Sequence, residues 1–417
     1  MSLEYKKNTL HFSGVSIAEV AKKHKTPFYL YSEEILSENY LEFFHGALEA
    51  GLHHPLVCFA VKSNSNKEFL KVLAGLGSGA DIVSGGELLR ALEAGIPADK
   101  IVFSGVGKTT EEIELGLKKG VYSFNVESVE ELELINAIAR KMKKTARICF
   151  RFNPEVVSKT HKYISTGNKT HKFGILKKDI LATIKNKKLW TNSKLVGLSI
   201  HIGSQLLDLK ATKTAIERMC DVAISSKVDL EFLDVGGGLG IDYQATETAK
   251  VPKISDYMKM IHDTLEKHYY SKTTNLARVV FEPGRRISGK TGLLVMKVLR
   301  NKVSEDNHFT ILDGGMNDMM RPSLYEAYHE ITPVQKSSKK EILTHIVGPI
   351  CETSDLFGTR KLAPMKSGDL VILRDAGAYG YSMGSTYNLR NRPEEIMITL
   401  NRKLQVINPA TKYEELK

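Results

Sequence analysis

The sequence predicts an α/β fold in which a (β/α)₈ TIM-type barrel is followed by a C-terminal antiparallel β domain. Eight short apolar or β-branched runs alternate with amphipathic segments over about 250 residues, which is the size and rhythm of such a barrel. Beyond residue 286 the extended runs are closely spaced and broken by Gly, Asn, Asp and Pro, as in antiparallel sheets. A doubly wound open sheet is the alternative for the first part.

The same pattern gives the individual elements. The predicted barrel strands are residues 55–61, 80–83, 101–104, 121–125, 146–152, 196–201, 230–235 and 278–282. The predicted helices are the amphipathic segments 85–94, 110–119, 129–141, 176–184, 210–226 and 254–270. The predicted strands of the β domain are 292–299, 308–312, 340–347, 369–374 and 395–400. The first thirty-odd residues also look extended, so we expect an N-terminal segment at 1–36 that joins the β domain (286–417), with the barrel at 37–285.

The composition is that of an ordinary globular protein. The chain has 417 residues, of which 42% are hydrophobic and 26% charged, and its net charge is +11. The basic residues occur in short runs such as 140–144 and 185–188, without the interleaved aromatic residues that a nucleic-acid platform needs. We therefore expect no nucleic-acid partner, and the net charge favours small anionic ligands such as phosphates and carboxylates.

Cysteine usage and hydropathy indicate the compartment. Cys58, Cys149, Cys220 and Cys351 show no close spacing, so neither a disulfide framework nor a zinc site is indicated, and we expect a reducing environment and no metal. The amino terminus lacks a hydrophobic signal region, and no apolar stretch approaches the roughly eighteen residues that span a bilayer. The expectation is a cytoplasmic protein with no membrane association.

Lys62 is the first candidate for chemistry. It follows the apolar run 55–61 and precedes the polar residues 63–66, so its amine leaves the end of a buried strand. A partly desolvated lysine has a lowered pKa and is a nucleophile towards aldehydes, which points to a Schiff base with pyridoxal phosphate. The alternative is a lysine whose side chain extends to bulk water. Lys62 by itself does not decide between the two.

Other predicted barrel strands also end in chemically useful residues. The carboxyl ends of barrel strands meet at one rim, where catalytic groups gather. The relevant strand ends are Asp81, Arg151, and residues 201–204, 236–240 and 282–285. Phosphates often bind at the loops after strands seven and eight, where glycines let backbone N–H groups approach the oxygens. A plain tight turn at the glycines, and structural ion pairs for Asp81 and Arg151, are the alternatives.

Seven motifs, in order along nearly the whole chain, resemble those of the diaminopimelate decarboxylase family. They are Phe59-Ala60-Val61-Lys62-Ser63-Asn64, His201-Ile202-Gly203-Ser204-Gln205, Gly236-Gly237-Gly238-Leu239-Gly240, Glu282-Pro283-Gly284-Arg285, Arg321-Pro322, Gly348-Pro349-Ile350-Cys351-Glu352 and Asp375-Ala376-Gly377-Ala378-Tyr379. This family belongs to the fold-type III pyridoxal-phosphate enzymes. The resemblance therefore implies an alanine-racemase-like barrel plus β domain, and homodimers with active sites at the subunit interface.

The resemblance also implies a set of residues around pyridoxal 5'-phosphate. Lys62 would hold the cofactor covalently, Glu282 would keep its ring nitrogen protonated, and His201 would stack on the ring. The other implied cofactor-binding residues are Asp81, Arg151, Ser204, Gly237, Gly238, Gly284, Arg285 and Tyr379. A core histidine and a glutamate that caps a turn are the alternatives for His201 and Glu282.

A second implied set contacts the substrate. Its members are Arg285, Arg321, Tyr325, Glu352 and Tyr379. The arginines would bind a distal carboxylate and Glu352 a distal ammonium, which requires an amino acid at both ends of the substrate. Cys351 would donate a proton to the carbanion from the partner subunit; an inert buried thiol is the alternative. Tyr387 and residues 172–174, which follow 164–167, would flank the pocket as a lid.

These residues predict decarboxylation of meso-2,6-diaminopimelate at its D-centre to L-lysine and CO₂, the last step of lysine biosynthesis. A fold-type III decarboxylase of ornithine, arginine or a carboxylated polyamine is the alternative, although a distal arginine would repel the lone cation of a diamine precursor. A catalytically inactive relative that binds partners or carries the cofactor is a further alternative. Against it, Lys62, Gly238, Glu282 and Cys351 are all present.

Overall fold

The computed structural model describes residues 3–156, 172–244 and 251–416. The chain divides into two compact units. The barrel unit comprises Tyr40–Ile241 and Lys250–Arg286, and the β unit comprises Met1–Asn39, Asp242–Ala249 and Ile287–Lys417. The β unit is thus assembled from three separate stretches of sequence.

Elements are numbered in chain order. The strands are β1 (Leu3–Lys6), β2 (Thr9–Phe12), β3 (Val15–Ser16), β4 (Phe28–Ser32), β5 (Leu56–Ala60), β6 (Gly79–Ile82), β7 (Ile101–Phe103), β8 (Ser123–Val126), β9 (Ala146–Arg151), β10 (Ser193–Ser199), β11 (Phe232–Asp234), β12 (Arg278–Phe281), β13 (Gly292–Ser304), β14 (Asn307–Leu312), β15 (Ile331–Pro333), β16 (Ile342–Val347), β17 (Leu356–Leu362), β18 (Leu370–Leu373), β19 (Glu394–Ile398) and β20 (Leu404–Asn408). The helices are α1 (Ile17–Lys23), α2 (Glu33–Glu49), α3 (Lys67–Gly75), α4 (Gly85–Glu93), α5 (Thr110–Lys119), α6 (Val129–Lys141), α7 (Lys177–Lys185), α8 (Leu209–Ser226), α9 (Ile254–His268), α10 (Arg285–Ser288) and α11 (Arg321–Tyr325). In the described part of the chain, no helix has the length and apolar character needed to cross a membrane.

Strands β5 to β12 form a closed parallel barrel in chain order, which confirms the predicted barrel and excludes the open sheet. The ring closes where β12 pairs with β5, with Val280 opposite Leu56 and Phe281 opposite Val57. A buried cluster joins most of these strands through Leu56, Cys58, Val102, Cys149, Val196, Phe232 and Val280. All eight strands therefore end at the same rim.

Side-chain caps fix where several barrel helices begin. Asn66 accepts hydrogen bonds from the first turn of α3, and Ser84 and Ser128 cap α4 and α6 in the same way. Thr109 and Glu112 form a reciprocal capping box at the start of α5. Each cap ends a loop that follows a barrel strand, so these caps limit the freedom of the loops at the rim.

The β unit is built on a nine-stranded sheet. Its main path is β17-β16-β14-β13-β4-β19-β20, while β18 pairs with β13 and β15 pairs with β18. Most pairs are antiparallel, as predicted, but β14–β16 and β4–β19 are parallel. The N-terminal strand β4 lies between β13 and β19, and all five of its residues are buried.

The N-terminal region differs from the expectation of a fully extended segment. Strands β1, β2 and β3 form a small antiparallel sheet, but helix α1 follows them. Ser16 caps α1 by accepting a hydrogen bond from the N–H of Glu19, and Ile17 and Val20 are buried on one face. An N-cap followed by apolar residues three positions apart is a helix signal, and it outweighs the β-branched residues here.

Gly197 of β10 packs directly against the neighbouring strand. A Cβ atom added there would lie 2.5 Å from two ring carbons of Phe232. We expect Gly197→Ala to lower the free energy of unfolding by about 1–3 kcal/mol, because the ring and the strand must move apart. Urea denaturation measures the change. Gly107→Ala is the control, since an added Cβ there meets nothing within 4 Å; equal losses in both variants would contradict this account.

Candidate active site

Lys62 leaves the end of β5 in a single 3₁₀ turn, Val61–Ser63. Its Nζ lies 2.5 Å from Oδ2 of Asp81 on the neighbouring strand β6. The Asp81 side chain is fully buried, whereas that of Lys62 is 36% exposed. A buried carboxylate requires a cation or hydrogen-bond donors, so Asp81 holds the lysine at the rim with its amine still accessible.

The carboxyl of Glu282, directly after β12, is held by two other strand ends. Its Oε1 accepts hydrogen bonds from Asn125 Nδ2 at 3.2 Å and from the Ser104 hydroxyl at 3.4 Å. The Asn125 amide also donates to Ser104 Oγ at 3.1 Å, and the Ser123 hydroxyl donates to Asn125 Oδ1 at 3.2 Å. Because each hydrogen bond in this network has a defined donor and acceptor, the Glu282 carboxyl is held in one orientation.

Three buried acids share this part of the rim. Burial raises the pKa of Glu282 well above its ordinary value, the carboxyls of Asp234 and Asp81 raise it further, and Lys62 lowers it. Burial likewise raises the pKa of Asp234 to about 7, although its Oδ1 accepts the N–H of Gly236 at 2.8 Å. The rim therefore retains a carboxyl proton near neutral pH, which a bound nitrogen base could share.

His201 follows β10 and is neutral. Burial lowers its pKa well below the ordinary value, and the nearby charges of Arg151 and Lys62 lower it further. The N–H of Gly237 donates to His201 Nδ1 at 3.3 Å, which places the ring proton on Nε2. A neutral imidazole of fixed tautomer offers a flat face, which suits stacking on an aromatic ring better than a hydrated cation does.

These groups line one cavity of about 200 Å³. Its lining residues are Lys62, Val83, Ser104, Gly105, Asn125, Arg151, Phe173, Ser199, Ile200, His201 and Glu282. Of these, Lys62, Arg151, His201 and Glu282 are predicted site residues, and Phe173 belongs to the segment 172–174 that was expected to flank the pocket; the other lining residues were not predicted. Ser104 and Asn125 end the third and fourth predicted strands, so the same strand-end rule could have found them.

The glycine loop after β11 lies beside the loops that follow β10 and β12. Gly238 has a φ of +98°, and a Cβ there would lie 2.2 Å from the carbonyl oxygen of Gly203, so only glycine fits. No described residue accepts the N–H of Gly238, which is partly exposed. Arg285 donates to the Ser204 hydroxyl at 3.2 Å. Backbone N–H, hydroxyl and guanidinium donors are thus grouped as a phosphate requires.

The barrel unit therefore fits the cofactor that the resemblance implies. An amine at Lys62 suits an aldehyde, a protonatable carboxyl at Glu282 suits a ring nitrogen, and the donors around Gly238 suit a phosphate. Gly284 is packed against Ala60 and Ser63, where an added Cβ would lie 3.1 Å from both side chains. It therefore contributes close backbone packing at this rim.

Two predicted substrate residues lie on α11 of the β unit. The Arg321 side chain is buried and donates from Nη1 to Nε2 of His329 at 2.5 Å. Its guanidinium carbon lies 4.6 Å from the centroid of the Tyr243 ring. His329 in turn donates from Nδ1 to the carbonyl of Arg374 at 2.7 Å, so its tautomer is consistent with both contacts. Tyr325 is half-buried at the end of α11.

The other predicted residues of the β unit occupy loops. Cys351 and Glu352 are exposed, and the Tyr387 hydroxyl donates to Glu352 Oε1 at 2.6 Å. This hydrogen bond raises the pKa of Tyr387. Tyr379 has a positive φ of 56°. Of the expected lid, residues 172–174 belong to the barrel unit, and 164–167 lie outside the described residues.

Known proteins resemble this chain over nearly its full length. A family model described as pyridoxal-dependent decarboxylase, pyridoxal binding domain, matches residues 42–289. The diaminopimelate decarboxylase of Aquifex aeolicus is 39% identical over 416 residues, which cover 99% of this chain and 96% of that protein. The diaminopimelate decarboxylase of Neisseria meningitidis serogroup A is 42% identical over 396 residues, 94% of each. A crystal structure of diaminopimelate decarboxylase from Helicobacter pylori complexed with L-lysine has a TM-score of 0.87 at 40% identity, covering 96% of this chain and 98% of that one.

The raised pKa of Asp234 predicts a pH dependence of stability. In the folded protein Asp234 keeps its proton up to about pH 7, from an ordinary value of 3.8. Because the folded state then binds more protons than the unfolded state, stability falls as pH rises through this window. Asp234→Asn keeps an oxygen for Gly236 and removes the titration, so its stability relative to wild type should rise by on the order of 4 kcal/mol between pH 4 and 7.

Urea denaturation of the cofactor-free protein across this pH range measures the difference between the two curves. Asp263→Asn is the control, because Asp263 is exposed and its hydrogen bond to Lys259 lowers its pKa instead. Parallel stability curves for wild type and Asp234→Asn would show that folding does not raise the pKa of Asp234.

Proposed function

The chain belongs to the diaminopimelate decarboxylase family of pyridoxal-dependent enzymes, and from this premise we propose how its residues divide the work of the reaction. The enzyme removes the carboxylate at the D-centre of meso-2,6-diaminopimelate to give L-lysine and CO₂, the last step of lysine biosynthesis, with pyridoxal phosphate as cofactor. One observation carries this function: Lys62, His201 and Glu282 line a single cavity at the barrel rim.

Pyridoxal phosphate, when bound, supplies an electron sink for the electron pair that remains as CO₂ leaves. Lys62 would hold the cofactor covalently through its amine, which is the nucleophile that an aldehyde requires. Asp81, 2.5 Å from Lys62 Nζ, keeps the amine pointing into the rim and receives it when it is released. Lys62 and Asp81 thus act as one pair.

Glu282 holds a proton at the ring nitrogen. Burial and two neighbouring carboxyls raise its pKa, which favours a proton shared between this carboxyl and a bound ring nitrogen. A protonated ring nitrogen beside Glu282 would supply the positive charge that balances this carboxylate. Asn125 and Ser104 keep the carboxyl oriented throughout, because both donate to its Oε1.

The remaining barrel residues bind and confine the cofactor. His201 would lie against the ring as a neutral imidazole, and Arg151 lines the same cavity. Gly238 and Ser204 would supply donors to the phosphate, with Arg285 bonded to the Ser204 hydroxyl, whereas the N–H of Gly237, another predicted donor, is bonded to His201 Nδ1. Together these groups would hold both the ring and the phosphate of the cofactor.

We assign the two ends of the substrate to the β unit and Arg285. Arg321 and Arg285 bind the distal carboxylate with Tyr325 and Tyr379, and Glu352 binds the distal ammonium. Cys351 donates the proton that replaces CO₂. Tyr387 holds Glu352 through the 2.6 Å hydrogen bond between their side chains. We further propose a cytoplasmic homodimer in which Cys351 and Glu352 serve the active site of the partner subunit.

Lys62→Ala tests the covalent anchor. We expect the visible absorbance of bound pyridoxal phosphate to disappear and turnover to fall at least about 10³-fold, because Lys62 is the one lysine among the described residues that line the cavity. Lys67→Ala is the control: Lys67 is exposed and its ion-pair partner Glu93 is 3.9 Å away. Retention of full activity in Lys62→Ala would refute the assigned role.

Arg321→Lys tests substrate recognition. A lysine keeps the charge but loses the planar fork, so kcat/KM for meso-diaminopimelate should fall about 10- to 100-fold. Arg360→Lys is the matched control, since Arg360 also stacks on a tyrosine and bonds to His329. CO₂ release from L-ornithine, L-arginine and meso-diaminopimelate is measured in parallel. A preference of the wild type for a diamine precursor would overturn the assignment of Arg321.

A further inference from the structure

Glu127 is a buried acid for which the motifs supply no role. It follows β8, and its side chain is only 3% exposed. Its Oε1 accepts a hydrogen bond from Arg151 Nη1 at 2.5 Å, and its Oε2 accepts one from the backbone N–H of Gly174 at 2.8 Å. One carboxylate therefore joins the end of a barrel strand to a separate segment of chain.

That segment extends the barrel wall beside β9. The N–H of Ile175 donates to the carbonyl of Arg151 at 2.8 Å, and the N–H of Asn153 donates to the carbonyl of Ile175 at 3.0 Å. The Asn153 side chain adds a hydrogen bond to the carbonyl of Phe173 at 3.0 Å. Residues 173–175 are thus held to β9 by three hydrogen bonds, and Glu127 supplies a fourth from the neighbouring strand β8.

The segment and the arginine meet at the cavity. The guanidinium carbon of Arg151 lies 4.7 Å from the centroid of the Phe173 ring, and both side chains line the cavity. The Arg151 side chain is only 11% exposed, so its charge needs a nearby counter-charge, which Glu127 provides. A neutral side chain at position 127 would keep one acceptor oxygen, which could not hold both Arg151 and the backbone of Gly174.

Glu127 is itself anchored away from the cavity. Its backbone N–H donates to Glu131 Oε2 at 2.6 Å, and Glu131 Oε1 accepts a hydrogen bond from Lys108 at 2.7 Å. Lys108 is completely buried and also donates to the carbonyls of Gly105 and Asn125, both at 2.8 Å. The carboxylate of Glu127 is therefore presented from the rigid part of the barrel.

We propose that Glu127 is a positioning residue that locks residues 173–175 and Arg151 together as one preformed wall of the cofactor cavity. It touches neither cofactor nor substrate and acts through Arg151 and Phe173. Preformed walls raise affinity because the bound ligand does not have to order them. The role in cofactor binding rests on the proposed function, whereas the locking of the segment does not.

Glu127→Gln tests the proposal, because an amide has one acceptor atom and cannot satisfy both donors. In cofactor-free protein, hydrogen–deuterium exchange of the peptide that contains Gly174 should become about tenfold faster. The dissociation constant for pyridoxal phosphate, from fluorescence titration, should rise about tenfold. At saturating cofactor, kcat should change less than this affinity does, because the reacting atoms are untouched.

Glu231→Gln is the matched control. Glu231 pairs with Arg147 and Lys194 at the starts of β9 and β10, away from the rim. It should leave both the exchange of the Gly174 peptide and the cofactor affinity unchanged. If Glu127→Gln behaves like Glu231→Gln in the exchange experiment, the proposal is wrong. A general loss of protection over the whole barrel in Glu127→Gln would also overturn it, because the role would then be structural.

A second variant and a measurement without cofactor complete the experiment. If Glu127→Gln does not fold, Glu127→Asp is measured in the same way, since its shorter side chain keeps the charge but cannot reach both partners; unchanged exchange there overturns the proposal. Exchange is measured without cofactor, so a protein that bound no pyridoxal phosphate would defeat the proposed function while the exchange result still decided the role of Glu127.

Discussion

The pairing of the last barrel strand with the first is the constraint on which the candidate site depends. Two residue pairs join β12 to β5, and backbone hydrogen bonds from Ala60 to Pro283 and from Val279 to His53 extend the contact. This pairing brings Glu282, just beyond β12, to the rim where Lys62 leaves β5. These residues are far apart in the sequence and have no other reason to meet. An open sheet with the same strands would leave them at opposite edges, so the cavity requires the ring to be closed.

Closure of the barrel also brings several charged side chains together at the rim. Asp81, Asp234 and Glu282 are buried close together, and Lys62 is the cation paired with the first of them. Burial raises the pKa of both Asp234 and Glu282, so the three carboxyls together do not carry three full negative charges. A site that stores a proton in this way is ready for a ligand that brings a basic nitrogen.

The sequence predicted the barrel and the residues that stand alone after apolar runs, because strand period and strand ends are local signals. It did not identify Ser104 and Asn125 as the donors that orient Glu282, since small polar residues are common at strand ends and only the folded ring shows which carboxyl they face. Glu127 was missed for a related reason: its partners, Arg151 and Gly174, lie elsewhere in the sequence. The two parallel strand pairs in the β unit depend on which strands become neighbours in the folded sheet, and residue patterns within a strand do not encode this.

The place of β4 in its sheet has a consequence for biosynthesis. This fully buried strand lies between β13 and β19, which begin only at Gly292 and Glu394. On the ribosome, β4 emerges first and waits while the entire barrel and most of the remaining chain are translated. Until then its apolar residues and open edges are available to other chains, so a stalled or truncated nascent chain would be prone to aggregate and would be a natural client for chaperones.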